Sequence, residues 1–161
     1  MRVIKPVDFQ PQLAALLPQT YALLKSSNLT VHPSVSRIIL HGSRGLANRY
    51  RPNSDMDLSL ILEMPPGSSQ TCNIELLREV TEITLGHWQA SVELDLAVVF
   101  DVHQCQLRCF DQTAWNAQIC AKDGIDCFGL YKSQKGFSGL VSKAGVQVKL
   151  MYPCLKIWQQ V

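Results

Sequence analysis

The sequence predicts a single α/β (α+β) domain, and three observations carry that prediction. Two segments, from Phe9 to Leu24 and from Cys72 to about Trp88, repeat apolar residues at three- and four-residue spacing, as amphipathic helices do. Three short segments, Ser36 to His41, Met56 to Leu60 and Val92 to Phe100, are continuously apolar or alternate at period two, as strands do. Clusters with strong turn chemistry separate them, at Ser26-Ser27-Asn28, Arg51-Pro52-Asn53-Ser54 and Pro65-Pro66-Gly67-Ser68-Ser69. With 161 residues, 47% apolar and 17% charged, the chain is long enough to bury one core and too apolar for wholesale disorder.

Taken in order, residues 1–7 read as an extended lead-in to the first helix. Pro18 falls inside the helical pattern, where it removes a backbone donor and clashes with the preceding turn, so the helix kinks or restarts there. Val31 to Ser34 reads as a loop. The strand ending at His41 delivers the chain into Gly42-Ser43, and a helix is expected to begin near Arg44. Met56-Asp57-Leu58-Ser59-Leu60 reads as a half-buried strand, and the helix from Cys72 leads to the Val92 strand. Leu107 to Ile119 predicts another helix, Asp123-Gly124 a turn, and Ile125 to Tyr131 a short strand. Val146 to Met151 fits a strand or a helix equally.

Composition narrows the class. No apolar run approaches the roughly 18 residues of a membrane span, and the N-terminus lacks the pattern of an export signal, so a cytoplasmic protein without a membrane partner is expected. Cys72, Cys105, Cys109, Cys120, Cys127 and Cys154 are then expected as reduced thiols, and the absence of a CxxC pair argues against structural zinc. The net charge of +2 says little by itself, but no acid follows Asp126, while Lys132, Lys135, Lys143, Lys149 and Lys156 do. That tail is read as a solvated terminus or as a phosphate contact.

The chemistry concentrates between His41 and Asp57. Asp55 and Asp57 lie two apart at the start of a strand, an arrangement that puts both on one face. Adjacent carboxylates that stay ionised need a counter-charge, and a divalent cation is the usual one. Gly42 permits close approach of a phosphate to the main chain, and Ser43 adds a hydroxyl donor. Asp95 interrupts the most apolar strand, where a charge is costly unless paired or metal-bound. It reads either as a solvent-facing residue of an edge strand, with Glu93 beside it, or as a third acid for the same site.

Gly42-Ser43, Asp55-Met56-Asp57-Leu58 twelve steps after Ser43, and Asp95 on a later strand together resemble the nucleotidyltransferases of the DNA polymerase beta type, especially small bacterial members related to kanamycin nucleotidyltransferase. The resemblance covers about Leu13 to Phe100, and Asp123 to Lys132 is similar to the family's closing segment. It departs at the turn, where Gly-Ser-x-Ala-x-Gly is usual and Gly42-Ser43-Arg44-Gly45-Leu46-Ala47 stands, so Gly45 and Ala47 receive no ligand role. The resemblance implies a mixed β-sheet with helices packed mainly on one face, a nucleotidyltransferase domain over residues 1–132, and a C-terminal extension over 133–161. It implies Asp55, Asp57 and Asp95 as catalytic and metal-binding residues, and Gly42, Ser43 and Arg44 as nucleotide-binding. Two Mg2+ ions about 4 Å apart, or Mn2+ in their place, would serve transfer of a nucleoside monophosphate from a nucleoside triphosphate, ATP first, to an acceptor hydroxyl with release of pyrophosphate. The acceptor is a small molecule, a protein or an RNA end. Because the chain is short, a homodimer or a partner protein is expected to complete specificity. The alternative is an antitoxin-like or nucleotide-binding module of the same fold without turnover.

Overall fold

The computed structural model describes residues 1–63, 70–101, 130–134, 137–141 and 154–161. Pro11 and Pro18 each sit at the first position of a helix, where a missing N–H costs nothing. The periodic segment is accordingly two helices, α1 (Pro11–Leu16) and α2 (Pro18–Ser26), broken at the non-helical Leu17. Asn28, at φ 54°, turns the chain out of α2, and β2 (Thr30–Val31) then pairs antiparallel with β1 (Arg2–Val3). The extended lead-in thus contributes a short strand, and the expected loop keeps His32 to Ser34 as a turn, only Val31 joining the ribbon.

A six-stranded mixed sheet dominates the molecule. It contains β3 (Val35–His41), β4 (Met56–Glu63), β5 (Leu94–Asp101), β6 (Leu130–Gln134), β7 (Phe137–Val141) and β8 (Leu155–Gln159), in the order β7-β6-β5-β4-β3-β8. β4 and β5 are parallel, joined through α3 (Gln70–His87), and the other pairings are antiparallel. Leu13, Leu17 and Leu24 of the first helical segment and Leu77 and Val80 of α3 share one core cluster with Ile38, Leu40, Leu58, Leu60, Leu96 and Val98. Each such leucine removed from water contributes about 1.5–3 kcal/mol.

Two expectations are corrected. β4 is not half-buried: Ser59 and Ile61, on the face away from that cluster, are as inaccessible as Leu58 and Leu60. The same holds for Ile39, Ala97 and Val99, so the central strands are covered on both faces, which continuous apolar runs permit. The 132/133 position lies within β6. Far from being a solvated tail, the C-terminus supplies β8 against β3, with Ile157 and Trp158 in the core and Lys156 half-buried opposite Ile39. The expected helix at Leu107 to Ile119, the Asp123-Gly124 turn, the Pro65 loop and the Val146 to Met151 segment lie outside the described residues. Among the described residues no helix is long and apolar enough to cross a membrane, and Cys154 is buried and outside any disulfide.

Candidate functional site

The site begins at one end of the three central strands. His41 closes β3, Asp57 is the second residue of β4, and Asp95 is the second residue of β5. Register sets them side by side: His41 opposite Asp57, and Asp57 opposite Asp95. Partners in register lie on one face, on strands about 4.8 Å apart. Because β5 lies between β4 and β6, the edge-strand reading of Asp95 is excluded. Its side chain is half-buried, and Oδ1 is sealed from solvent without a hydrogen-bond partner. A buried carboxylate oxygen in that state, next to a second acid, lacks the compensation that buried charge requires.

Gly42 makes room for Asp57. A Cβ built on Gly42 would overlap Asp57 Oδ2 and stand 2.8 Å from its Cγ, and the residue's φ of +73° is one that side chains rarely tolerate. The glycine that the sequence assigns to phosphate approach is thus also the space the carboxylate occupies. Gly45 is constrained in a different way. A Cβ there would stand 3.0 Å from the His41 carbonyl oxygen, a tight approach to backbone that favours glycine where no ligand role was expected.

No helix starts near Arg44. Residues 43–47 form successive turns, in which the Gly42 carbonyl accepts from the Gly45 N–H (3.0 Å) and the Ser43 carbonyl accepts from the Arg49 N–H (2.9 Å). The two glycines and the intervening loop chemistry outweigh the expectation of a cap. Free amides of a helix N-terminus are therefore not part of this site. Ser43 itself is half-buried beside Gly42.

Arg44 is buried, at 3% exposure. Its Nε donates to the Ser54 carbonyl (2.8 Å), and Nη2 donates to the carbonyls of Arg51 (3.1 Å) and Pro52 (3.2 Å). The guanidinium lies 4.6 Å from the Tyr50 ring centroid. These contacts give Arg44 a task in the loop that the sequence did not indicate. Arg49 and Arg51, by contrast, are exposed.

Asp55 is not part of the register that pairs Asp57 with Asp95. It is exposed and precedes β4, whose ladder opens at Met56, so it does not share a strand with Asp57 as the spacing predicts. Among the described residues no group of three or more His, Cys, Asp or Glu is gathered for a metal. The arrangement is a registered pair, Asp57 and Asp95, with a third acid two residues away. Carboxylate oxygens alone suit a hard divalent cation, and the unpartnered Asp95 Oδ1 is an oxygen such a cation would satisfy.

At the far end of the same face lies a cluster that the sequence did not reveal. Arg37 Nη2 is 3.2 Å from Asp101 Oδ2 and 3.9 Å from Glu63 Oε1, with Asp101 at 1% exposure. Only the even spacing from His41 back to Arg37 and from Asp95 on to Asp101 placed these residues on the face of the site. No known protein family, curated protein or solved structure matches the chain. The site consequently stands on its own geometry.

Proposed function

We propose that the protein is a divalent-metal-dependent nucleotidyltransferase. One observation carries the reading: Asp57 and Asp95 lie in register on adjacent parallel strands beside Gly42, and Asp95 Oδ1 is buried without a partner. Asp55, Asp57 and Asp95 would hold magnesium, or manganese in its place. The cation would neutralise the triphosphate and the departing pyrophosphate. Gly42 and Ser43 would receive the phosphates of ATP or another nucleoside triphosphate on the exposed side of the turn.

The transfer forms a bond between the acceptor oxygen and the α-phosphorus and breaks the bond from that phosphorus to the bridging oxygen of pyrophosphate. The acceptor's proton would pass to the other Asp95 carboxylate oxygen or to water. The acceptor is an alcohol of a small molecule, a protein side chain or an RNA end, and a second copy or a partner protein would complete its recognition.

A nucleotide-binding module without turnover is the second reading. It draws on the position of Asp55, exposed and outside β4. The two readings part in one assay. The protein is incubated with each labelled nucleoside triphosphate, Mg2+ and cell extract, beside Asp57→Asn/Asp95→Asn. Pyrophosphate release and label transfer at least 100-fold above the double variant support the enzyme. Nucleotide binding with no release above the double variant overturns it in favour of the binding module.

A further inference from the structure

We propose that Arg44 is a positioning residue for Asp55, the acid that the sheet does not hold; the proposal rests on the nucleotidyltransferase reading of the site. A guanidinium at 3% exposure is costly unless its donors are satisfied, and among the described residues no carboxylate pairs with it. Loop carbonyls take that role. Arg51, Pro52 and Ser54 all turn their carbonyl oxygens onto one guanidinium, a use of the planar fork that no ammonium can copy.

The loop is closed upon itself as well. The Ser54 N–H donates to the Arg51 carbonyl (3.0 Å), and the Arg51 N–H donates to Ser54 Oγ (2.8 Å). Arg44 is fixed in turn, because its carbonyl accepts from the buried Thr20 hydroxyl of α2 at 2.6 Å. A continuous chain of contacts therefore runs from α2 through Arg44 to Ser54.

Asp55 follows Ser54 directly. On its N-terminal side the Ser54 carbonyl is held by Arg44 Nε, and on its C-terminal side the Met56 N–H donates to the Glu93 carbonyl at 2.8 Å. An exposed residue outside any strand is thus clamped at both flanking peptides, one clamp coming from β5's approach and the other from Arg44. Nothing in this arrangement requires the guanidinium to touch nucleotide. Its effect on a bound cation passes through Asp55.

The test is a double-mutant cycle read by Mn2+ titration of the full chain without nucleotide, with amide hydrogen exchange at 51–56 measured in parallel. Arg44→Met is expected to weaken Mn2+ binding about tenfold, to the same degree as Asp55→Asn, and Arg44→Met/Asp55→Asn to weaken it no further. Arg44→Lys keeps the charge but loses the fork, so it should restore less than half of the loss. Ser54→Ala, which opens the same loop without removing a buried charge, keeps the cycle informative if Arg44→Met does not fold. It is expected to show faster exchange at 51–56 and the same non-additivity with Asp55→Asn. Additive losses, or faster exchange with unchanged Mn2+ affinity, overturn the positioning role while leaving the enzyme reading intact. A wild-type chain that binds no Mn2+ overturns both.

Discussion

Asp95 and Asp101 occupy the same strand and, by even spacing, the same face, yet their circumstances are opposite. Asp101 is buried against Arg37 across β4, so its charge is compensated by the protein itself. Asp95 is half-buried beside Asp57, and one of its oxygens is sealed off with no donor. An acid with its counter-charge built in is part of the scaffold. An acid pair that leaves an oxygen unsatisfied departs from the rule that buried charges are compensated, as functional sites often do. The two ends of one face thus separate a structural use of carboxylates from a candidate catalytic one.

The contrast can be broken by measuring stability and metal binding at each end. The largest effect is expected from Asp101→Ala, which removes the buried partner of the Arg37 guanidinium and leaves it the exposed Glu63 at 3.9 Å, and should cost about 3 kcal/mol in urea unfolding. A cost below about 1 kcal/mol would mean that the pair is not the scaffold element described, since that is what exposed pairs contribute. Gly42→Ala comes next. It places a methyl on Asp57 at a positive φ, so a loss of about 1–3 kcal/mol is expected together with loss of Mn2+ binding. Retained metal affinity would separate Gly42 from Asp57. Arg37→Met/Asp101→Leu removes both charges, and its stability should return to within about 1 kcal/mol of wild type, because a buried pair is often neutral against an apolar replacement. The smallest stability change belongs to Asp95→Asn, within about 0.5 kcal/mol of wild type. The same variant should abolish Mn2+ binding, and a large destabilisation instead would make Asp95 a scaffold acid like Asp101.

Much of the molecule was legible in the residues. The apolar runs at Ser36 to His41 and Val92 to Phe100 became β3 and β5, the Cys72 pattern became α3, and Pro18 marked a restart, since these signals are local and proline acts on its own turn. The residues after His41 fit a helix start as well as a turn, because glycine and serine serve both, and backbone bonds among Gly42, Ser43, Gly45 and Arg49 decide for the turn. The two-residue spacing puts Asp55 and Asp57 on one strand, but the ladder that defines the strand opens at Met56. Arg44 could not be told from a surface arginine, since the three carbonyls that receive it lie seven to ten residues away and converge only in the folded loop.

By itself the sequence determined the helical segments from Phe9 and from Cys72, the strands at Ser36 to His41, Met56 to Leu60 and Val92 to Phe100, and which acids stand at strand starts, because side-chain periodicity and turn chemistry act over a few neighbouring residues. Only the tertiary structure decided that β8 returns to pair with β3, that Arg37 meets Asp101, that Gly42 yields its space to Asp57, and that Asp95 faces Asp57 instead of solvent. Those outcomes depend on strand order and register. Pairing partners far apart in the chain are chosen by the core they bury together, and no local pattern records that choice.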